Sequence, residues 1–158
     1  MKGRIEQLSE QDRKTIFELI NRAAKRYRGA VPEDCWSEPY MPGEELSEEM
    51  RKMKFYGLRA QKLLGVVGVQ NLSGVTLIRH LYVRPERQGI GTKLLNFALD
   101  RAHNEKVLVG TWRDASWAIK FYERNGFLNL GNQSRFLRRY WEIPERQVEE
   151  SVVLRRRR

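Results

Sequence analysis

The sequence predicts an α/β protein with a mixed, mostly antiparallel central sheet, and three observations support this. Three successive apolar runs are typical of buried strands, namely Phe55 to Ala60, Lys62 to Asn71 and Val75 to Val83. Short turns at Ala60-Gln61 and Ser73-Gly74 separate them, as expected for antiparallel neighbours. Farther along the chain, a predicted strand is twice followed by an amphipathic helix, an order that is expected where helices cover a sheet.

The segment before these strands is predicted to contain two helices and an irregular stretch. Ser9 to Tyr27 begins with a capping serine and carries apolar residues at helical spacing, at Ile16, Leu19, Ile20 and Ala23. Gly29 to Gly43 contains several prolines and the large side chains of Trp36 and Tyr40, so it is predicted to be irregular. A second helix is predicted from Ser47 to Lys54.

The stretch from Leu77 to Thr92, LIRHLYVRPERQGIGT, joins the third of these strands to a helix predicted from Thr92 to His103. Gly89 and Gly91 lie just before that helix. The first amides of a helix have no internal partner and lie at the positive end of its dipole, and glycine lets a ligand approach the backbone closely. This order indicates an anion site, although similar turns that bind nothing are common and no Lys-Ser or Lys-Thr of a nucleotide loop follows.

A second strand and helix follow. Val107 to Trp112 is predicted as a strand, and the next helix has Asp114 as its cap and Gly126 at its end. Its apolar side carries Ala118, Phe121 and Tyr122. This helix is therefore expected to pack on the sheet.

The C-terminal part is predicted to add three strands, Phe127 to Gly131, Arg135 to Ile143 and Gln147 to Leu154. Residues 155–158 are all arginine and are predicted to be a disordered tail. The length of 158 residues and the hydrophobic content of 41% suit one core, so residues 1–158 are predicted to form a single domain.

The helix after Trp112 carries a specific motif. Ala118 to Phe127, AIKFYERNGF, matches the pattern A-I-x-F-Y-E-x-x-G-F at every fixed position. With the glycine loop, this motif resembles the GNAT superfamily of acyl-CoA-dependent N-acyltransferases, firmly from Leu77 to Phe127 and loosely over the rest of the chain. The resemblance implies a sheet flanked by helices on both faces and splayed between strands 4 and 5. It also implies an N-acetyltransferase that moves an acetyl group from acetyl-CoA to a primary amine by direct attack in a ternary complex.

The resemblance implies which residues bind acetyl-CoA. Leu81, Tyr82 and Val83 would hold the thioester and the pantetheine arm through their backbone groups. The pyrophosphate would lie on backbone amides of six residues, namely Arg87, Gln88, Gly89, Ile90, Gly91 and Thr92. Two registers of the loop motif are open: one starts at Glu86 and keeps the helix pattern, which favours it, and the other runs from Gln88 to Lys93.

Further residues follow from the same resemblance. Tyr122 matches a tyrosine that lies at the CoA sulfur and acts as a general acid toward the departing thiolate, while packing in the core remains the alternative. Trp36 and Tyr40 lie in a region that forms part of the acceptor pocket in the family, although aromatics that plug the core are equally compatible. Ala115 replaces an asparagine that is frequent in the family, so one CoA contact is expected to be missing.

The general base is not evident from the sequence. Leu77 and Arg79 occupy positions where many family members carry glutamate. Side chains alternate along a strand, so Arg79 is predicted to share a face with Leu81, to reach the acceptor and to favour one that bears a carboxylate. His80 is predicted to point to the opposite face as a packed structural residue. The remaining candidates are a water molecule or the glutamates of the second helix, Glu44, Glu45, Glu48 and Glu49.

Composition narrows the function classes. The formal net charge of +10 at pH 7 suits a ligand rich in phosphate, and nucleic-acid binding is not expected because many acidic residues are interspersed. One cysteine, Cys35, and two isolated histidines predict no disulfide and no metal site. Without a long apolar run or a signal sequence, we expect a cytoplasmic protein with no membrane partner. A homodimer is left open.

The prediction is therefore an acetyl-CoA-dependent N-acetyltransferase. Its acceptor would be a small-molecule amine or a protein amine, and acetyl-CoA would be its co-substrate. The alternative is a non-catalytic CoA-binding regulatory module of the same fold, which the missing strand carboxylate motivates. Both predict CoA binding, and only the first predicts turnover.

Overall fold

The computed structural model describes residues 3–85 and 89–157. Within these ranges seven strands form one sheet in the order β1-β2-β3-β4-β5-β7-β6. The strands are β1 (Arg4–Gln7), β2 (Lys54–Arg59), β3 (Leu63–Asn71), β4 (Thr76–Val83), β5 (Val107–Trp112), β6 (Phe127–Asn129) and β7 (Ser151–Arg156). The pair of β4 and β5 is parallel and the other pairs are antiparallel, which confirms the predicted mixed sheet.

Helices cover both faces of this sheet, as predicted. They are α1 (Arg13–Ala23), α2 (Gly43–Lys52), α3 (Ile90–Leu99), α4 (Ser116–Arg124), α5 (Ser134–Tyr140) and α6 (Glu145–Glu149). Buried residues of α3 and α4 pack with one set of strand side chains. Those of α1 and α2 pack on the other face near β2 and β3, and those of α5 and α6 pack beside β5 and β7. The apolar stripes therefore enclose the sheet from both sides.

One predicted strand is a helix. The prediction of a strand from Arg135 to Ile143 is wrong, because α5 occupies Ser134–Tyr140. Its large apolar residues, Phe136, Leu137, Tyr140 and Trp141, recur at helical rather than alternating spacing. Leu137 and Trp141 pack with Leu108 of β5, so the helix closes this edge of the core.

The C-terminus is also more ordered than predicted. The strand predicted from Gln147 begins at Ser151, after α6, and continues through Arg155 and Arg156. Because β7 lies between β5 and β6, Arg155 pairs with both neighbouring strands. The Arg157 amide donates a hydrogen bond of 2.7 Å to the Gly126 carbonyl. These arginines are therefore not a disordered tail, and Arg158 lies outside the described residues.

Two smaller differences concern an additional strand and the cap of a helix. No strand is predicted at β1, a short edge strand that pairs with β2. Ala115, rather than Asp114, is the N-cap residue of α4. In the ranges that the structure describes, no helix combines the length and apolar character needed to cross a bilayer.

Candidate active site at the splay of the sheet

The central sheet opens between β4 and β5. Their parallel pairing covers three residue pairs and ends where Ile78 lies opposite Val109. Beyond that pair β4 continues to Val83 and β5 to Trp112, with no further pairing between them among the described residues. The edge of β4 that faces β5 is therefore free to hydrogen-bond a ligand as though the ligand were another strand.

A β-bulge lies in β4 where the splay begins. Val66 of β3 is opposite Tyr82, but Gly68 is opposite Arg79, so two residues of β4 oppose one of β3. His80 has a backbone φ of 53°, in the left-handed region that histidine tolerates better than most residues. The bulge interrupts the alternation of side chains along the strand.

The interruption changes which side chains share a face. Ile78, Leu81 and Val83 pack with the cluster under α3, whereas Arg79 and His80 both contact Glu49 of α2. The prediction that Arg79 shares a face with Leu81 is therefore wrong. The prediction that His80 points to the face opposite Leu81 and is packed there is confirmed, and the bulge places Arg79 on that same face.

Glu49, Arg79 and His80 form a buried polar cluster. Nη2 of Arg79 lies 3.0 Å from Glu49 Oε1, and Nε2 of His80 lies 2.6 Å from the same oxygen. The three side chains are 7%, 9% and 12% exposed. Nη1 of Arg79 donates to Gln70 Oε1 at 3.3 Å, and the His80 ring stacks on Phe55 at 5.9 Å. Each of the three side chains therefore has at least one partner that holds it in place.

The cluster has a defined charge state at neutral pH. Burial alone would raise the pKa of the Glu49 carboxyl, but the hydrogen bond from His80 and the nearby positive charges lower it to about 2. Burial lowers the pKa of His80 below its usual value of 6.5, and this outweighs the opposing effect of Glu49. We therefore assign an ionised Glu49 that accepts a hydrogen bond from Nε2–H of a neutral His80.

A cavity of about 670 Å³ lies against this cluster and extends to the splay. Leu81 and Tyr82 of β4 and Gly110, Thr111 and Trp112 of β5 line it. It also contains charged side chains, namely Glu44, Glu45, Glu48, Glu49, Lys52, Arg79 and Glu142. Burial, and the charge of Glu49, raise the pKa of Glu45. The charged groups on the α2 side of the cavity are therefore mostly acidic, although the chain as a whole is strongly basic.

Four tyrosines line the same cavity: Tyr27, Tyr40, Tyr82 and Tyr122. The Tyr122 ring packs edge-on to Phe121 at 5.2 Å and to Phe127 at 5.6 Å. Burial raises the pKa of Tyr122, so its hydroxyl stays protonated at every ordinary pH. Trp112 donates a hydrogen bond of 2.7 Å from Nε1–H to the Tyr40 hydroxyl.

The glycine turn ends beside this site. Gly89 has φ of 71° and is the N-cap residue of α3, so a residue with a side chain would be strained there. The Lys93 amide donates a hydrogen bond of 3.1 Å to the Gly89 carbonyl and closes the first turn of α3. The amides of Ile90, Gly91 and Thr92 come before that bond, so they have no partner within the helix. A Cβ on Gly91 would lie 3.3 Å from the Phe121 ring, so this glycine also allows α3 and α4 to pack closely.

Comparison with known proteins decides the family. The sequence profile of the acetyltransferase (GNAT) domain matches residues 10–137, which is most of the chain. The protein belongs to the GNAT acetyltransferase family. No curated protein matches its sequence.

Solved structures share this GNAT fold at low sequence identity. The PaiA N-acetyltransferase from Thermoplasma acidophilum, in complex with coenzyme A, has a TM-score of 0.74 at 20% identity, with 100% of each chain covered. A GNAT-family acetyltransferase from Staphylococcus aureus Mu50 has a TM-score of 0.73 at 16% identity, with 98% of each chain covered. The ribosomal-protein-S18-alanine N-acetyltransferase from Escherichia coli has a TM-score of 0.70 at 18% identity, with 98% of this chain and 93% of that chain covered. At these identities the likeness shows the fold.

The structure brings part of the predicted GNAT site together. Leu81, Tyr82 and Tyr122 line the cavity, and Val83 packs beneath α3 at the end of β4. Gly89, Ile90, Gly91 and Thr92 form the start of α3 as described above. Arg87 and Gln88, like Glu86, lie outside the described residues. The binding roles of all of these residues remain predictions.

The predicted acceptor residues fall into two groups. Arg79 and Tyr40 line the cavity, but the Arg79 charge is paired with Glu49. The structure places Trp36 outside the cavity lining, where its Nε1–H donates to Glu38 at 2.6 Å and its ring packs on Tyr40. The expectation that Arg79 selects an acceptor with a carboxylate therefore loses its basis.

Glu49 is only one of the four glutamates that the sequence offers as candidate bases. A signal that distinguishes it was available, because Glu49 follows Leu46 by three residues and precedes Met53 by four. Leu46 and Glu49 of α2 are both buried, as is Met53 just after the helix, so Glu49 lies on the buried side of α2. An acidic residue on such a face requires a partner inside the protein, and His80 and Arg79 supply it.

Proposed function

We propose that this GNAT protein transfers an acetyl group from acetyl-CoA to a primary amine by direct attack within a ternary complex. The observation that carries the proposal is the continuous cavity from the splay of β4 and β5, with Tyr122 at one side, to the acidic wall of α2. Such a cavity suits a thioester and an amine that meet at the splay. Acetyl-CoA supplies an activated acetyl thioester, so no enzyme nucleophile is required.

Two features of the chain fit an acyl-CoA ligand. The free edge of β4 at Leu81, Tyr82 and Val83 offers backbone groups for the amides of the pantetheine arm. The first amides of α3, after the left-handed Gly89, suit the pyrophosphate because they point outward at the positive end of the helix dipole. We infer that the described residues act together as one acetyltransferase domain, which is supported by the single sheet.

The charges of the cavity favour a cationic acceptor. Glu49 neutralises Arg79, and Lys52 lies 3.3 Å from Glu142. Glu48 pairs with Arg51 at 3.4 Å, so Glu44 and Glu45 remain as an excess of negative charge on the α2 side. A primary amine is positively charged near neutral pH, so this wall attracts it and disfavours an acceptor that carries only carboxylates.

Tyr122 is proposed to assist the leaving group. The CoA thiolate has a pKa near that of cysteine, about 8.5, and a hydrogen-bond donor stabilises it as it forms. Burial keeps the Tyr122 hydroxyl protonated, so it can donate throughout the reaction. The raised pKa also makes the phenolate costly, and we therefore expect strong hydrogen bonding to sulfur rather than a lasting transfer of the tyrosine proton.

A CoA-binding module without catalysis is the second candidate function. The observation that favours it is the absence of a carboxylate at Leu77 and Arg79 of β4. Thiol release from acetyl-CoA separates the two candidates when it is measured with spermidine, a lysine amide and a peptide that begins with alanine. Release above the uncatalysed rate with any of these amines supports the transferase. Binding of acetyl-CoA without release for all three supports the module.

A further inference from the structure

His80 and Glu49 are well placed for proton transfer. The bulge in β4 turns His80 toward α2, and the residue lines the cavity beside the splay. Its Nε2 is occupied by Glu49 Oε1 at 2.6 Å, which leaves Nδ1 as the nitrogen that can accept a proton. The Phe55 ring, stacked at 5.9 Å with an interplanar angle of 12°, fixes the plane of the imidazole.

We propose that Nδ1 of His80 is the general base for the acceptor amine and that Glu49 is the residue that positions it. This inference rests on the proposed acetyl transfer and identifies the group that replaces the missing carboxylate of β4. Glu49 selects the tautomer by accepting Nε2–H, and it stabilises the imidazolium that forms when Nδ1 takes a proton. Glu49 itself is a weak base, because its partners hold it ionised.

The proton balance of the step is simple. The acceptor enters as an ammonium ion, and Nδ1 of His80 takes one proton so that the nitrogen lone pair is free. The carbon–nitrogen bond forms and the carbon–sulfur bond breaks, with the electron pair left on sulfur. After the bond has formed, the nitrogen loses a second proton, and the CoA thiolate takes up one proton to become the thiol. His80 then releases its proton to solvent, and the enzyme returns to its starting state.

The charged groups around His80 agree with this role. Burial has the largest effect on the pKa of His80 and lowers it, the hydrogen bond to Glu49 of α2 raises it, and the charge of Arg79 of β4 lowers it. Lys52 lies 3.7 Å from Glu49 Oε2 and 3.3 Å from Glu142. Glu45 and the Tyr40 and Tyr82 hydroxyl groups complete the titratable lining on this side. Within this set, His80 is the group that is both neutral and basic near pH 7.

Nuclear magnetic resonance of the free protein tests the base without any acceptor. The chain has two histidines, so a His103→Gln variant assigns the ring signals of His80 without ambiguity. We expect a neutral ring at pH 7 that is protonated on Nε2, with a pKa below 6.5. Glu49→Gln should lower this pKa further, because the carboxylate favours the charged ring. A ring that is charged at pH 7, or protonated on Nδ1 alone, would overturn the proposal.

Kinetics with the three amines named above form the second test. His80→Asn is the preferred variant, because asparagine also tolerates the positive φ at the bulge. We expect kcat to fall about a hundredfold or more, with the Kd for acetyl-CoA within about twofold of the original value. The acid limb of kcat/KM in the original protein should match the pKa measured by resonance and should be lost in the variant. His103→Gln is the matched control and should retain full kcat.

A double-mutant comparison tests the role of Glu49. If it acts through His80, Glu49→Gln should lower kcat by about tenfold alone, and the double variant should be no slower than His80→Asn. Full kcat in a folded His80→Asn protein would overturn the base assignment and leave acetyl transfer intact. Absence of turnover with all three amines in the unmodified protein would instead contradict the proposed function, and the base assignment would fall with it.

Discussion

On the α3 face of β4, Ile78 packs with Leu94, Leu95 and Ala98, which are fully buried. On the α2 face of the same strand, His80 and its neighbours are nearly as deeply buried, yet they are charged or polar and adjoin the cavity. Both faces are largely buried. They differ in what burial does, since it stabilises apolar side chains and perturbs the pKa of titratable ones. We therefore expect the α3 face to contribute most of the folding stability, and the α2 face and the splay to carry the proposed acetyl transfer.

The largest expected effect lies on the α3 face. Leu94→Ala should lower the free energy of unfolding by about 2 to 5 kcal/mol, because it removes buried methyl groups and leaves a cavity. Urea unfolding measures this change, and kcat of the folded fraction should stay the same. Leu128→Ala, at an exposed position on β6, is the matched control with little expected effect. A large loss of kcat in folded Leu94→Ala protein would show that the two faces are not separable.

Tyr122 sharpens the comparison because it belongs to the α3-side cluster and also lines the cavity. Tyr122→Phe should lower kcat by about ten- to a thousandfold, with nearly constant affinity for acetyl-CoA, since only the hydroxyl is lost. Steady-state kinetics where chemistry limits the rate measure this change. Tyr56→Phe, in the same cluster but away from the cavity lining, is the control and should leave kcat unchanged. Equal rates for both variants would make Tyr122 a packing residue.

The pH dependence of stability reports on the α2 face. Burial would raise the pKa of Glu49, but His80 and Arg79 lower it to about 2. In the unfolded chain the pKa is about 4.3, so this contribution is fully present above that value and is lost as the pH falls through about 2. We expect Glu49→Gln to reduce the acid-dependent loss of unfolding free energy by on the order of 2 kcal/mol. Denaturant unfolding at a series of pH values measures the difference.

Glu48→Gln is the matched control for that experiment. Glu48 adjoins Glu49 in α2, and its side chain is 62% exposed, with Arg51 as its partner at 3.4 Å. Exposed pairs of this kind contribute little, so the pH profile of the control should follow that of the unmodified protein. An identical profile for Glu49→Gln as well would mean that Glu49 is not ionised against its partners in the folded state.

The smallest expected effect concerns the turn before α3. Gly89→Val should weaken acetyl-CoA binding at least tenfold, about 1.4 kcal/mol, because φ of 71° disfavours a side chain and the α3 amides would shift. Isothermal titration measures the Kd. Gly74→Val is the matched control, since Gly74 has φ of 80° and equally open surroundings in the turn before β4. A similar loss of affinity in both variants would assign the effect to general strain.

Local patterns in the sequence were sufficient to predict the positions of most strands and helices. The strands β2 to β5 and the helices α1 to α4 lie where hydrophobic periodicity predicts them, within a few residues at their ends. Periodicity does not reveal β1 and favours a strand at α5, because short apolar runs carry a weak periodic signal. The arginines at the C-terminus were misjudged because their order depends on β5 and β6, the partners of β7, rather than on composition.

The sequence by itself determined the family and the elements whose motifs are local. Ala118 to Phe127 forms a helix followed by a turn through physical contacts within ten residues, and Gly89 marks a backbone conformation that side chains disfavour. Only the tertiary structure decided which side chains form the proposed catalytic face. The bulge at His80 depends on the register between β3 and β4, and Glu49 meets His80 across 31 positions of the chain. Register and long-range contact arise from the packing of the whole sheet, so no local pattern encodes them.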